Sequence, residues 1–379
     1  MNPKKTENKK IKRKRHKLKW GRIFGCLFAM FLIGGGIFAA SKFLGSKPAA
    51  LIIDAAEYSQ ITTVAAGDIA VTEIIGIDDE AVPVIVEIIP EFKYDIELDG
   101  DYPIEENLQT AYAIIYDKTA EEVLFAKNPE NKAFPASTTK LLTAAVLIDT
   151  MPADTVFTAG KELELVSPGS SLGLIYEGFE LNMRDTIDGL MLPSGNDVAY
   201  MAAANAGRFI AEDDTLSPSA AVDIFMNRMN MKLSEIGAQD THFSVPDGFH
   251  DEGHYTTAAD MLKIALCASD YPEIMTSVGQ SNRQVTFLTG QSVFWENSNK
   301  LVQDYTDIYY MYATGMKTGM TDESGYCIVA SAERFGHEII AVMLSAPTSD
   351  IRWNETVAML DQAFAYINSN IETESGENS

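Results

Sequence analysis

Cysteine and histidine are scarce in this chain of 379 residues, which contains three of the first and five of the second. No Cys-x-x-Cys or His-Glu-x-x-His spacing occurs, which excludes the usual thiolate zinc site and the helical metalloprotease site. The sequence therefore predicts no metal and no cofactor. Only Cys267 and Cys327 follow the N-terminal apolar segment; we expect two separate buried thiols, with a disulfide between them as the alternative.

Positive charge is scarce beyond residue 22. The first 22 residues hold eleven of the 29 Lys and Arg side chains and one of the 54 Asp and Glu side chains, so 18 basic groups stand against 53 acidic groups in the remainder. Contacts to nucleic-acid phosphates require cations. We therefore expect no nucleic-acid partner.

The basic arm, residues 1–22, precedes an apolar segment, residues 23–40, that contains no charged side chain. Eighteen residues is about the minimum that crosses a bilayer. Trp20 suits the membrane interface, and the basic arm indicates a cytoplasmic N-terminus. These features predict a single-pass anchor in the cell membrane, with the rest of the chain outside. A cleaved signal peptide is the alternative, because small residues end the segment.

Residues 41–107 are acidic and contain few basic side chains, and the sequence predicts a stem there. Two clusters rich in Ile and Val, residues 71–77 and 81–90, favour either short strands or an extended linker. At the other end, residues 369–379 form a predicted polar tail.

Ser137 and Lys140 form a Ser-x-x-Lys pair at the predicted start of a helix. Pro135 suits a first helical turn, and the residues after Lys140 are rich in Ala and Leu. Residues three apart share a helix face, so the two side chains are neighbours. A neutral lysine amine can take the proton of a serine hydroxyl, and the helix start supplies N–H groups where an oxyanion forms.

Two further triplets follow in order along the chain. Ser194-Gly195-Asn196 lies in a predicted turn, and Lys317-Thr318-Gly319 precedes two strand-like runs, residues 325–332 and 338–344. Together with the Ser-x-x-Lys pair these triplets are the signature of penicillin-binding proteins and serine β-lactamases. Over residues 111–367 the sequence resembles the D-alanyl-D-alanine carboxypeptidase family, the low-molecular-mass penicillin-binding proteins.

The resemblance implies a role for each motif residue. Ser137 would be the nucleophile and Lys140 its base, with Ser194 relaying a proton and Asn196 holding the substrate backbone. Substrate binding would use Lys317, Thr318, Gly319, Met320 and Arg352. Of these, Lys317, Thr318 and Arg352 would meet the terminal carboxylate, and Gly319 would let its strand approach the ligand. For Arg352 the alternative is a surface charge at the start of a helix. The N–H groups of Ser137 and Met320 would form the oxyanion hole. Many relatives carry histidine at the position of Met320.

An ordinary lysine pKa of about 10.4 makes a poor base at pH 7. We expect burial and the like charge of Lys317 to lower the pKa of Lys140.

The predicted catalytic domain covers residues 108–368. A hairpin at 110–126, helices between 141 and 270, strands after 283 and a closing helix at 354–367 predict an α/β (α+β) domain. The resemblance implies the serine β-lactamase-like fold, an antiparallel sheet flanked by helices with an inserted helical subdomain.

The predicted activity is removal of the terminal D-alanine from peptidoglycan stem peptides, with acylation by β-lactam antibiotics as inhibitors. A serine β-lactamase and a non-catalytic penicillin sensor are the alternatives. Class A β-lactamases use a glutamate to activate the deacylating water. No Glu-x-x-x-Asn segment lies between Asn196 and Lys317, which favours the peptidase.

Overall fold

The computed structural model describes residues 50–53, 69–71, 84–90, 93–98 and 100–377. The chain divides into two units, Met1–Ile89 and Pro90–Ser379. The predicted basic arm and apolar segment lie outside the described residues. Within the described part, no helix combines the length and apolar character that a membrane crossing needs.

Three short strands occur in the region predicted as a stem. They are β1 Ala50–Ile53, β2 Ile69–Val71 and β3 Val84–Pro90, and they form a sheet in the order β1-β3-β2. Strands β1 and β3 are antiparallel, with Ala50 opposite Glu87. Residues 84–90 of the second Ile- and Val-rich cluster form a strand, whereas only residue 71 of the first cluster lies among the described residues, at the end of β2.

The second unit is built on a five-stranded antiparallel sheet whose strands come from both ends of the unit. Its order is β10-β11-β12-β4-β5, and Leu344 of β12 pairs with Tyr112 of β4. The bounds are β4 Tyr112–Asp117, β5 Glu122–Lys127, β10 Ala313–Thr321, β11 Gly325–Arg334 and β12 His337–Ala346. Two small two-stranded sheets pair β6 Val156–Thr158 with β7 Glu180–Asn182, and β8 Asn282–Thr286 with β9 Ser292–Glu296.

Helices cover both faces of this sheet. Six of them lie between β5 and β10 along the chain and one follows β12. Their bounds are α1 Lys140–Thr150, α2 Met183–Met191, α3 Asn196–Ala211, α4 Pro218–Glu235, α5 Ala258–Ser269, α6 Pro272–Val278 and α7 Ser349–Glu377. Successive strand residues point to opposite faces. Accordingly Ile114 joins the core under α1 to α6, whereas Ile115 joins the core under α7. The α/β (α+β) prediction is confirmed.

Helix α1 is the centre of the helical layer. All its residues from Lys140 to Leu147 are buried, which is the expected state of a helix that is apolar all round. Its only charged residue in that stretch, Lys140, is therefore carried into the interior by the packing of its neighbours. Cys267 and Cys327 are both buried and free, as predicted.

The second unit begins earlier than residue 108, the predicted start of the catalytic domain. Lys93 and Tyr94 each contact the Asp270 carboxylate at 2.7 Å, and the N–H of Ile104 donates to the carbonyl of Leu124 at 3.1 Å. Residues 93–98 and 100–107 therefore pack against the domain rather than forming part of a stem. At the other end, α7 continues to Glu377, through most of the segment predicted as a polar tail.

Candidate active site

Ser137 lies on a tight turn that leads directly into α1. The turn is a 3₁₀ helix, Ala136–Thr139, and Lys140 is the first residue of α1. Ala136 has a φ of 49°, in the left-handed region that side chains disfavour. Two hydroxyls fasten the turn: Thr138 Oγ1 donates to the Pro135 carbonyl at 2.7 Å, and Thr139 Oγ1 donates to the Ala136 carbonyl at 2.8 Å.

Lys140 is fully buried, and its amine contacts three oxygens. Nζ lies 3.0 Å from Ser137 Oγ, 2.7 Å from Asn196 Oδ1 and 2.7 Å from the Asp247 carbonyl oxygen. The amide and carbonyl oxygens are acceptors only. A neutral amine has two N–H groups and one lone pair, so once these two acceptors take the N–H groups the lone pair faces the Ser137 hydroxyl. The geometry orients Lys140 as a base toward Ser137.

Burial lowers the pKa of Lys140 to about 8, although the Asp247 and Asp197 carboxylates oppose the shift. The predicted repulsion between the two lysines lowers the pKa of Lys317 rather than that of Lys140. Burial, followed by the charges of Lys140 and Arg352, lowers the pKa of Lys317 well below its ordinary value. Among the described residues, no carboxylate contacts either amine directly.

The Ser194–Asn196 triplet is held at the start of α3. Ser194 has a φ of 60°, and its Oγ is buried without a hydrogen-bond partner among the described residues. Asn196 begins α3, and its Nδ2 donates to Ser170 Oγ at 2.9 Å. The Asp197 carboxylate accepts the N–H of Gly173 at 2.6 Å, so the loop containing Ser170 is fixed against α3.

Strand β10 places the Lys317–Gly319 triplet against the turn that carries Ser137. A Cβ on Gly319 would lie 2.8 Å from the Ser137 nitrogen, so only glycine lets the strand pass this close. Lys317 is fully buried, and its Nζ contacts the Thr318 carbonyl at 3.1 Å and Ser298 Oγ at 3.3 Å. Thr318 Oγ1 donates to Ser298 Oγ at 2.8 Å.

Arg352, near the start of α7, reaches the same strand. Its Nη1 donates to the Gly319 carbonyl at 3.4 Å, and its guanidinium lies 4.2 Å from the Trp353 ring centroid. Burial lowers the pKa of Arg352 to about 10, and its Nε has no partner in the described structure. The Met320 side chain, in contrast, is 54% exposed.

Three residues at the site were not predicted from the sequence. Asp247 contributes a backbone carbonyl, which carries no sequence signal, and Ser298 is an isolated serine between β9 and β10. Ser170 belongs to a Gly-Ser-Ser-Leu segment that resembles the family, which was the one signal available for it.

Comparison with protein families gives a match to a model described as D-alanyl-D-alanine carboxypeptidase, over residues 101–348. Carboxypeptidase DacF of Bacillus subtilis (strain 168) is 28% identical over 270 residues, 70% of this chain and 65% of that protein. DacD of Salmonella typhimurium is 31% identical over 258 residues, 65% of this chain and 60% of that protein. The chain thus spans less than two thirds of the length of these two relatives.

Solved structures give the same fold. The Streptomyces K15 DD-transpeptidase has a TM-score of 0.63 at 26% identity, covering 69% of this chain and 99% of that one. Penicillin-binding protein D2 from Listeria monocytogenes, in its ampicillin-bound form, has a TM-score of 0.55 at 23% identity, which shows the fold alone. The predicted sheet with flanking helices therefore has known counterparts.

Proposed function

Because the chain belongs to the D-alanyl-D-alanine carboxypeptidase family, we propose that it is a serine carboxypeptidase that removes the terminal D-alanine from peptidoglycan stem peptides. One observation carries the proposal. The buried Lys140 amine meets two acceptor oxygens and the Ser137 hydroxyl, which leaves its lone pair directed at that hydroxyl. This is the arrangement that serine acyl transfer with a lysine base requires.

Acylation starts with attack of Ser137 Oγ on the carbonyl carbon of the penultimate D-alanine, while the hydroxyl proton passes to Lys140 Nζ. The N–H groups of Ser137 and Met320 hold the oxyanion. The proton then passes from Lys140 Nζ through the Ser194 hydroxyl to the departing amine of the last D-alanine as the peptide bond breaks. Asn196 holds the substrate backbone. Water then hydrolyses the acyl-enzyme and restores the Ser137 hydroxyl.

The charge of the cleft suits a substrate that ends in a free carboxylate. Lys317 and Arg352 are both buried, and neither forms an ion pair among the described residues. A carboxylate bound at Thr318 would supply the missing negative charge to both cations. Penicillins also carry a carboxylate beside a reactive carbonyl, and we propose that they acylate Ser137 in the same way.

The test measures D-alanine release from an acyl-L-Lys-D-Ala-D-Ala peptide by the full-length protein. The native chain should release D-alanine and Ser137→Ala should not, although Ser137→Ala should unfold at the same temperature. The same peptide with a C-terminal amide is the matched control, and it should be a poor substrate. Absence of D-alanine release, combined with rapid turnover of a chromogenic cephalosporin, would indicate that the protein is a β-lactamase and not a carboxypeptidase.

We also propose that residues 23–40 anchor the protein in the cell membrane, with residues 1–22 in the cytoplasm and the catalytic unit outside. The support is the uncharged apolar run directly after a basic arm. Protease added to intact protoplasts should digest the catalytic unit and spare an N-terminal tag. Loss of the tag would reverse the orientation, and release of the catalytic unit without protease would indicate a cleaved signal peptide.

A further inference from the structure

His254 has no part in the steps above, yet it is buried close to the nucleophile turn. Its Nδ1 accepts the N–H of Ser244 at 3.1 Å, so in the neutral ring the proton must lie on Nε2. Nε2 lies 2.8 Å from Thr139 Oγ1, which therefore accepts from the ring and donates its own proton to the Ala136 carbonyl at 2.8 Å. The three hydrogen bonds have one consistent direction, from Ser244 to Ala136.

The surroundings of His254 keep the ring neutral and immobile. The side chain is 2% exposed and stacks on Phe243, with ring centroids 4.6 Å apart. Burial lowers the pKa of His254 to about 3. The ring is therefore neutral at neutral pH, where Nδ1 is the acceptor and Nε2 is the donor.

The loop that His254 contacts through Ser244 also contacts Lys140, the proposed base. The segment that His254 holds at Ser244 continues to Asp247, whose carbonyl accepts from Lys140 Nζ at 2.7 Å. The next residue, Gly248, packs so closely on the turn that a Cβ there would lie 2.0 Å from the Ala136 oxygen. The His254 ring is therefore hydrogen-bonded through Nε2 to the turn that carries Ser137, and through Nδ1 to the loop whose Asp247 carbonyl contacts Lys140.

We propose that His254, acting through Thr139, is a positioning residue that holds Ser137 at its working distance from Lys140. Ala136 needs such support because a residue with a side chain is strained in the left-handed backbone region, where Ala136 has a φ of 49°. The inference rests on the proposed acyl transfer by Ser137. Neither side chain contacts the reacting atoms, so the effect is on geometry alone.

The test uses Thr139→Val, which keeps the shape of the side chain and removes its hydroxyl. The first-order rate constant of acylation by saturating fluorescent penicillin should fall about 10–100-fold, the range that sub-ångström to ångström misplacement produces. The dissociation constant of the complex that precedes acylation should change less than about threefold. Thr139→Ser keeps the hydroxyl and should recover most of the rate.

The matched control is Thr186→Val on α2, which also removes a buried hydroxyl, one that donates to the Asn182 carbonyl at 2.9 Å. It should lower the melting temperature comparably and leave acylation at the native rate. A native acylation rate in Thr139→Val, or an equal loss in Thr139→Ser, would overturn the inference. Failure of the native chain to become acylated would instead overturn the proposed function.

If Thr139→Val does not fold at the assay temperature, His254→Asn makes the same test. Its amide oxygen can still accept from Ser244, but its shorter side chain cannot reach Thr139. Acylation more than about threefold slower than native would support the inference, and acylation within about threefold of native would refute it.

Discussion

Replacing Asn196 by aspartate places a carboxylate next to the base with almost no change of shape. Asn196 Oδ1 lies 2.7 Å from Lys140 Nζ. The other amide position of residue 196 contacts Ser170 Oγ at 2.9 Å, and a carboxylate oxygen there can accept from the Ser170 hydroxyl. The substitution therefore preserves both contacts and changes mainly the charge beside Lys140.

The size of the effect follows from the pKa of Lys140. The reactive form is the neutral amine, which is lost as pH falls through the pKa. With a pKa of about 8, set by burial against the Asp247 and Asp197 carboxylates, about one molecule in eleven is reactive at pH 7. A carboxylate in contact raises the pKa of its partner by about 1–2 units. Acylation by Asn196→Asp should therefore be about 10–100-fold slower at pH 7.

The assay is the first-order acylation rate with saturating fluorescent penicillin between pH 6.5 and 10. The native rate should level off near pH 9, and the rate of the variant should continue to rise. The deficit should shrink to about twofold or less at pH 10, where Lys140 is almost fully neutral in the native chain and at least about half neutral in the variant. A constant deficit at every pH would indicate damaged geometry, and an unchanged midpoint would refute Lys140 as the base.

Three further predictions concern the same reaction. Lys140→Arg should label with fluorescent penicillin as poorly as Lys140→Ala, because arginine cannot give up its proton; near-normal labelling would contradict the neutral-lysine mechanism. Gly319→Ala should slow acylation at least about tenfold, because its Cβ would lie 2.8 Å from the Ser137 nitrogen; a native rate would mean that the turn yields freely. The penicilloyl adduct should outlast many turnovers of the peptide in intact-protein mass spectrometry, and rapid return to the unmodified mass would favour a β-lactamase.

Much of the fold could be predicted from local sequence patterns. The hairpin of β4 and β5 and the strands β11 and β12 lie where apolar runs alternate with turn residues. The packing of residues 93–98 and 100–107 could not be predicted, because their acidic composition hides apolar contacts such as the buried Ile104. The extension of α7 was also missed, since a helix once formed can continue over polar residues without an apolar stripe.

The site divides in the same way. Residue types that carry chemistry in their side chains, such as Ser137 and Lys317, were readable from motif spacing. The Asp247 carbonyl was not, because any residue type can supply a backbone oxygen. Burial was correctly expected to lower the pKa of Lys140, where the Asp247 and Asp197 carboxylates oppose the shift; the repulsion between the two lysines was expected there as well, but it lowers the pKa of Lys317.

The buried cations of the cleft also set a limit on how stable the folded protein can be. Lys140, Lys317 and Arg352 are taken out of water without an ion pair among the described residues, and such burial opposes folding. Apolar replacements of similar length would remove that cost together with the activity. Without a ligand, the protein is thus less stable to unfolding than it would be with apolar side chains at these three positions. A bound ligand that carries a carboxylate would offset part of this cost. Occupancy of the cleft by substrate should therefore increase the resistance of the protein to unfolding.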